Sequence, residues 1–328
     1  MRKMLSIFLS LFLLAGVLTG CGNSGPAADS TKLSIVTTIF PEYDWVREIL
    51  GGNADGAEVT MLLDNGVDLH SYQPTADDIV KISACDLFIY VGGESDGWVE
   101  DALKEATNKN MVVINLLDVL GDEAKEEEVV EGMQEEEEAE EEEEHDHEEA
   151  EYDEHVWLSL KNTEILCGVI ADKLAGIDPD HKDAYAANAS AYIEKLSALD
   201  GEYQAAVDGA GKKTLLFGDR FPFRYLVDDY GLTYYAAFVG CSAETEASFE
   251  TITFLADKMD TLGLNCVLTI EGTNHKIAET VISNTRGKDQ QILVLDSMQA
   301  TTSDDVKNGT TYLFVMEKNL ETLKDALK

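Results

Sequence analysis

The chain contains 328 residues, of which 64 are acidic and 24 are basic, and its formal net charge at pH 7 is −40. A surface this acidic repels phosphate backbones, which argues against nucleic-acid binding, and it suits a protein that meets cations. The length allows roughly two domains, and an apolar content of 45% is enough for buried cores, so the chain as a whole is not a disordered acidic tail.

The first 31 residues predict export and lipid anchoring. A basic start precedes an apolar run at residues 5–17, which resembles the core of a signal peptide and is shorter than the roughly 20 residues of a membrane span. The sequence Leu18-Thr-Gly-Cys21 resembles the lipobox of bacterial lipoproteins, so residues 1–20 are the predicted signal peptide and Cys21 the lipidated residue. A secretory signal with a chance cysteine is the alternative. Residues 21–31 are predicted to be a flexible tether.

The next part of the chain predicts strands that alternate with helices. Apolar and β-branched runs predict strands at residues 32–39, 58–62, 87–91 and 111–115. Helical spacing of apolar residues predicts helices at residues 43–50, 75–83 and 98–106. Thr75 and Asp78 form a predicted capping box at the start of the second of these helices. This alternation is typical of βα units on a mostly parallel sheet.

Half of the negative charge lies in one insert. Between residues 122 and 154, 21 acidic residues accompany a single basic residue, Lys125, which gives a net charge of −20. The insert has almost no apolar residues, so we predict that it is disordered when no metal is bound. His145 and His147 stand among its carboxylates, a weak pattern for auxiliary metal capture that is equally typical of a solvated charge run.

A long helix is predicted to join two lobes. After a helix at residues 164–174, aromatic and apolar residues recur at helical spacing over residues 180–207, which corresponds to about 40 Å of helix. A second alternation follows, with strands predicted at 214–217, 233–239, 266–270 and 292–295, and helices at 223–230, 249–262, 276–285 and the C-terminus.

The predicted fold class is therefore α/β, with two lobes that each contain a mostly parallel sheet flanked by helices. The lobes are residues 32–178 and 209–328, and one linking helix at residues 179–208 joins them. Such a helix is expected to limit the lobes to small movements. Ligands of open α/β sheets bind beyond the carboxyl ends of the strands, so we expect a cleft between the lobes.

Four cysteines follow Cys21, and none has the CxxC spacing of a thiolate metal site, so such a site is not expected. The only disulfide considered is Cys241 with Cys266, because both fall in the second half. The alternative is four separate buried thiols that act as small hydrophobic residues, namely Cys85, Cys167, Cys241 and Cys266.

Two histidine motifs carry the functional prediction. His70 lies in the sequence Asp-Leu-His-Ser-Tyr-Gln-Pro-Thr, and His155 lies in Glu-His-Val-Trp-Leu, followed by Lys161-Asn162. These motifs resemble those of the zinc/manganese substrate-binding lipoproteins of bacterial ABC importers (ZnuA/TroA-type, cluster A-I family). An acidic, histidine-bearing loop just before the second histidine is a mark of the zinc members. The resemblance extends to three further places, namely residues 84–90, Asp178-Pro179 and Leu295-Asp296.

The resemblance implies a metal ion held between the lobes, with His70 and His155 as ligands from the first lobe. Asp296, after the last predicted strand, matches the acidic ligand of the family. The family's other ligand follows the first strand of the second lobe. Counting forward along the strand from Thr214 places Asp219 at this position, whereas counting backward from Tyr230 places Arg220 there. The permanent charge of arginine excludes it as a metal ligand, so Asp219 is expected. The reserve candidates are Glu246, Glu271 and His275.

Two imidazoles and two carboxylates suit Zn²⁺ and also suit Mn²⁺. Uptake is expected to weaken as the pH falls toward the histidine pKa of about 6.5, because protonated imidazole has no free lone pair. The resemblance implies an extracytoplasmic, lipid-anchored protein, expected to be a monomer, that delivers zinc to a membrane permease driven by a cytoplasmic ATPase.

The alternatives are a manganese-specific protein of the same type and a surface adhesin. No HExxH helix, nucleophile elbow or triad order is visible in the sequence, so an enzyme is not expected.

Overall fold

The fold is described by a computed structural model for residues 32–134, 151–242, 246–272 and 274–328. The described residues from Leu33 onward belong to one compact unit. The predicted signal peptide, lipidated cysteine, tether and insert histidines lie outside these ranges, that is, residues 1–31, His145 and His147.

A four-stranded parallel sheet forms the centre of the first lobe. Its strands are β1 (Leu33–Thr37), β2 (Ala57–Met61), β3 (Leu87–Tyr90) and β4 (Val112–Asn115). They are hydrogen-bonded in the order β2-β1-β3-β4, and every pairing is parallel. Parallel neighbours need crossover connections, which are supplied mainly by helices α1 (Phe40–Leu50), α2 (Ala76–Ala84) and α3 (Val99–Lys104). The strands and helices predicted here are confirmed within a few residues at each end, and a short helix α4 (Leu116–Leu120) was not predicted.

The predicted capping box is confirmed, and it helps to position the loop that carries His70. The Thr75 hydroxyl accepts a hydrogen bond from the Asp78 backbone N–H at 3.2 Å, and the Asp78 carboxylate accepts one from the Thr75 backbone N–H at 3.0 Å. The same carboxylate accepts a hydrogen bond from the Tyr72 hydroxyl at 3.0 Å. The loop before α2 is therefore tied to the start of that helix.

Two consecutive helices connect the lobes. Helix α5 spans Leu160–Ile177, and the long linking helix α6 spans Lys182–Asp208, so its 27 residues measure about 40 Å. Helix α6 packs against α5, against α1 and against the C-terminal helix α11 (Tyr312–Ala326). Its buried face is rich in tyrosine, and the Tyr203 hydroxyl donates a 2.6 Å hydrogen bond to the backbone carbonyl of Met316.

The second lobe contains three short pairs of parallel strands. Its strands are β5 (Thr214–Leu216), β6 (Arg220–Phe221), β7 (Thr233–Tyr235), β8 (Phe238–Val239), β9 (Cys266–Thr269) and β10 (Gln291–Val294). The pairs are β5 with β7, β6 with β8, and β9 with β10. The remaining helices are α7 (Arg224–Tyr230), α8 (Phe249–Leu262), α9 (Lys276–Asn284) and α10 (Ser303–Lys307).

One predicted strand, 233–239, is wrong in its extent, because it is two strands, β7 and β8. The interruption matches a break in the neighbouring chain segment, where residues 217–219 separate β5 from β6. A Cβ atom on Gly218 would lie 2.6 Å from the Cα atom of Ala278. Glycine thus allows α9 to approach closely at the break between β5 and β6.

The prediction of disorder throughout the insert is wrong at both of its ends. Residues Glu126 and Tyr152 form an antiparallel bridge. The backbone N–H of Gln134 donates a 3.0 Å hydrogen bond to the carbonyl of Ala237, and Lys125 Nζ lies 2.7 Å from a carboxylate oxygen of Asp228. The bridge lies within the insert, and the other two contacts join the insert to the second lobe. Composition alone does not reveal them, because they depend on a surface formed elsewhere in the chain.

The disulfide considered between Cys241 and Cys266 is not formed, since all four cysteines of the described chain are free. Cys85, Cys167 and Cys266 are buried, as expected for separate thiols, whereas Cys241 is only half-buried. Within the described ranges, none of the helices has the length and apolar character needed to cross a bilayer.

Candidate metal centre

The structure brings His70 and His155 together. His70 lies in a short 3-10 turn, Leu69–Ser71, and its backbone N–H donates a 3.0 Å hydrogen bond to the carboxylate of Asp68. His155 directly precedes a second 3-10 turn and is completely buried. The Nε2 atoms of the two rings lie 3.2 Å apart. Two loops of the first lobe therefore present one nitrogen each to the same point.

The orientation of His155 is fixed by Asp153. Both the backbone N–H and the Nδ1 atom of His155 lie within hydrogen-bonding distance of one Asp153 oxygen, at 2.8 and 3.0 Å. An ionised carboxylate only accepts, so we assign the ring proton to Nδ1, which leaves the Nε2 lone pair free. Nearby, Trp157 donates a 2.8 Å hydrogen bond from Nε1 to the Ser297 carbonyl and ties this loop to the second lobe.

His70 has an equivalent set of partners. Its Nδ1 atom lies 2.8 Å from the Ser95 hydroxyl and 3.4 Å from a carboxylate oxygen of Glu154. Burial alone would raise the pKa of Glu154, but its contacts with His70 and Ser95 bring that pKa below the usual value. Gly93 has a φ of +77°, and a Cβ atom there would lie 2.3 Å from Glu154 Oε1. Glycine is required at this position for the carboxylate to reach its partners.

A third donor, Cys241, was missed by the sequence reasoning. Its sulfur and one ring nitrogen from each of His70 and His155 all lie within 4.8 Å of one another. The CxxC criterion does not apply to a thiol that joins two histidines from distant loops. A usable signal was present, because Cys241 follows a predicted strand, and the carboxyl ends of strands are where ligands bind.

Within the described residues, the donor atoms that lie within 4.8 Å of one another come from His70, His155 and Cys241, and they do not include the carboxylates of Asp219 or Asp296. The Asp219 carboxylate accepts hydrogen bonds from the backbone N–H groups of Arg220 at 3.0 Å and Ile270 at 3.3 Å. Asp296 accepts one from the backbone of Met298 at 2.8 Å. Burial, reinforced by the charge of Glu271, raises the pKa of Asp296 to about 7.

Arg220 forms an ion pair with Asp68. Arg220 is the residue that counting backward along the sequence places at the ligand position. The ion pair joins β6 of the second lobe to the turn that carries His70. Both residues line a cavity of about 540 Å³, together with Asp219. The guanidinium group lowers the pKa of Asp68 below its usual value despite the burial of this carboxylate. Arg220 thus fixes the relative position of two loops that border the site.

The three reserve candidates for metal ligands lie in surroundings different from those of the donor group. Glu271 accepts hydrogen bonds from the backbone N–H groups of Ser297 at 2.7 Å and Gln299 at 3.0 Å, so it holds the loop after β10. His275 lines the 540 Å³ cavity and has a left-handed backbone conformation, with φ of 55°. Glu246 is exposed. None of the three belongs to the donor group of His70, His155 and Cys241 within the described residues.

An acidic groove lies beside the candidate site. It has a volume of about 950 Å³ and is lined by two basic side chains, Lys125 and Arg224, and by five carboxylates from helix α4 and the start of the insert, Asp118, Asp122, Glu126, Glu127 and Glu128. Glu127 also accepts a 3.1 Å hydrogen bond from the backbone N–H of Cys241. The groove therefore reaches the loop that carries the third donor.

Two α/β lobes, a long linking helix and donor atoms gathered by loops of both lobes define a metal-binding protein of the substrate-binding class. The family model described as "ZnuA: Zinc-uptake complex component A periplasmic" matches residues 35–326. The chain belongs to this family, which comprises metal-binding components of transport systems rather than enzymes.

Bacterial relatives agree with this assignment. The high-affinity zinc uptake system protein ZnuA of Bacillus subtilis is 32% identical over 324 residues, which cover 97% of each chain. The zinc-binding lipoprotein AdcA of Streptococcus pneumoniae is also 32% identical over 324 residues, which are 99% of this chain and 61% of that protein. This chain therefore spans less than two thirds of AdcA. The crystal structure of the Zn(II)-bound ZnuA-like domain of AdcA superposes with a TM-score of 0.69 at 30% identity, covering 90% of this chain and 99% of that domain.

Proposed function

We propose that this protein captures Zn²⁺ between its lobes and delivers it to an ABC importer. The observation that carries the proposal is the 3.2 Å separation of the Nε2 atoms of His70 and His155. Two nitrogens bound to one tetrahedral zinc ion at 2.0–2.1 Å are about 3.3 Å apart. Because Asp153 leaves the His155 Nε2 lone pair free, the two rings are arranged as a pair of zinc ligands would be.

The importer is proposed from the family and its named relatives, which include a zinc uptake system protein and a zinc-binding lipoprotein. In this proposal the protein acts outside the cytoplasm as a monomer, anchored by a lipid on Cys21. It passes its ion to a membrane permease that is driven by a cytoplasmic ATPase.

Asp219 and Asp296 remain proposed ligands of the second lobe. Their carboxylates would offset the charge of the ion, which neutral imidazoles cannot do. Each now accepts backbone hydrogen bonds, so ligation requires a local movement of side chains or loops. His145 and His147 are proposed to collect zinc within the insert, and the acidic groove beside Cys241 supports this role because carboxylates concentrate cations near the site.

Calorimetric titration of the purified protein with zinc tests the proposal. We expect a tight step of one ion per chain with a dissociation constant below micromolar, followed by weaker binding if the insert also captures zinc. Zinc binding that is micromolar or weaker throughout would contradict the proposed function.

Asp153 should contribute to zinc affinity although it is not a proposed ligand. We expect Asp153→Ala to weaken zinc binding by about 10- to 100-fold, because His155 loses the partner that orients its ring and keeps Nε2 available. Asp178→Ala is a matched control, since Asp178 also contacts a histidine, His181, at 2.7 Å but outside the site. Equal affinities of the two variants, with both folded by circular dichroism, would contradict the orienting role.

A further inference from the structure

Cys241 is held beside the two imidazoles by its neighbours. Its backbone N–H donates to Glu127 at 3.1 Å. The preceding Gly240 packs directly on His155, because a Cβ atom at Gly240 would lie 3.0 Å from His155 Cε1 and 2.9 Å from the Phe221 carbonyl oxygen. Only glycine permits this approach of the loop after β8 to the histidine, and it brings the next residue, Cys241, to the site.

The distances allow the sulfur to bind the same ion as the rings. On a tetrahedral zinc ion, a thiolate sulfur at about 2.3 Å and an imidazole nitrogen at about 2.0 Å are roughly 3.6 Å apart. The sulfur and the two ring nitrogens already lie within 4.8 Å of one another. The adjustment required is therefore at most about 1 Å, which is within the reach of a side-chain rotation.

The surroundings of Cys241 favour a bound cation. The Glu127 carboxylate accepts a hydrogen bond from the Cys241 backbone N–H, and the Asp153 carboxylate lies against the ring of His155. Carboxylates around a thiol and two imidazoles form an electronegative site, in which a divalent ion is stabilised.

We propose that Cys241 is a protein ligand of the transported ion, that it takes the place of one of the two proposed carboxylate ligands on a tetrahedral ion, and that it selects Zn²⁺ over Mn²⁺. This inference rests on the proposed function and adds the residue that sets the specificity. On binding, the S–H bond breaks, the proton passes to solvent, and the sulfur lone pair forms the bond to zinc. Thiolate is a soft ligand that suits zinc, whereas manganese prefers carboxylate and water oxygens. Loss of the sulfur should therefore weaken zinc binding more than manganese binding.

The test compares wild-type protein with Cys241→Ser and with Cys266→Ser, which alters another thiol of the second lobe. Co²⁺ replaces zinc as a probe, because a cobalt–thiolate bond gives a charge-transfer absorption in the near ultraviolet. We expect this absorption in wild type and in Cys266→Ser but not in Cys241→Ser. Calorimetry with each metal should show zinc affinity at least tenfold weaker in Cys241→Ser and manganese affinity unchanged.

Wild-type protein that binds cobalt without the charge-transfer absorption would overturn the inference, and this readout does not depend on whether a variant folds. An unchanged ratio of zinc to manganese affinity in folded Cys241→Ser would also overturn it. If instead wild-type protein binds neither zinc nor cobalt, the proposed function itself fails. Zinc binding that is lost in His70→Ala but kept in Cys241→Ser contradicts only the role of the thiol.

Discussion

Replacement of His70 by alanine is expected to weaken zinc binding by at least about 100-fold. Removing an outer partner of a metal-bound histidine typically costs 10- to 100-fold, and removing a ligand itself should cost more. The His70 Nε2 atom is one of two nitrogens that meet at 3.2 Å, so the variant leaves His155 without its imidazole counterpart. Competition between the protein and a chelator of known affinity measures the change.

The matched control is His181→Ala. His181 is an exposed histidine at the start of α6, and its contact with Asp178 is remote from the donor group. This variant should bind zinc as the wild type does. Thermal unfolding of both variants without metal separates loss of a ligand from loss of structure. Zinc affinity of folded His70→Ala within tenfold of the wild-type value would refute the assignment of His70.

The parts of the fold that the sequence predicts well are those with local causes. Helix α8 was predicted with the limits it has, because apolar residues recur at helical spacing, including the buried Ile252, Leu255 and Met259. Gly263 follows in the left-handed conformation with φ of 62°. The Thr75 capping box likewise depends on four adjacent residues. Strand β6 has only two residues, and its pairing with β8 depends on a neighbour distant in sequence.

The residues of the candidate site likewise fall into those that a local sequence motif predicts and those that only the tertiary structure brings together. His70 and His155 were predicted because each sits in a recognisable motif, and the structure places their rings together. Cys241 has no such motif, and its place in the donor group depends on how Gly240 packs against His155. The ion pair of Arg220 with Asp68 was equally hidden, because it joins residues of different lobes.

Contacts between the lobes limit how an ion could be captured in the proposed function. One hydrophobic cluster includes residues from Ile35 in β1 to Leu327 at the C-terminus. Buried hydrogen bonds cross the same boundary, since Tyr312 donates from its backbone to Asp44 at 2.9 Å and from its hydroxyl to the Trp157 carbonyl at 2.7 Å. Wide opening would disrupt this packing and leave buried polar groups unpaired. Capture and release are therefore expected to involve loops and side chains more than rotation of whole lobes.

The stability of the protein should fall as the pH rises from about 5 to 8, and Glu42→Gln should remove a large part of this loss. Glu42 is fully buried in α1, and one of its oxygens accepts hydrogen bonds from the Thr38 backbone at 2.8 Å and the Ile39 backbone at 3.3 Å. Burial, followed by the charge of Asp96, raises the pKa of Glu42 from 4.5 to about 8.

The direction of this pH dependence follows from the protons that the folded and unfolded states bind. Between its ordinary pKa and the raised value, Glu42 is protonated in the folded state and ionised in the unfolded state, so each rise in pH favours unfolding. The effect over this window is on the order of 3 kcal/mol in the free energy of unfolding. Glutamine keeps an oxygen to accept the two backbone hydrogen bonds and has no proton to lose, so the variant should be the more stable protein at pH 8.

Denaturant unfolding of the metal-free protein at several pH values measures the effect. The variant should keep some pH dependence, because burial also raises the pKa of Asp96 to about 7 and that of Asp44 to about 6. Glu58→Gln, at an exposed position of β2, is the matched control and should have the pH dependence of the wild type. If Glu42→Gln and Glu58→Gln lose stability equally between pH 5 and 8, Glu42 is ionised in the folded protein and the argument from its burial is wrong.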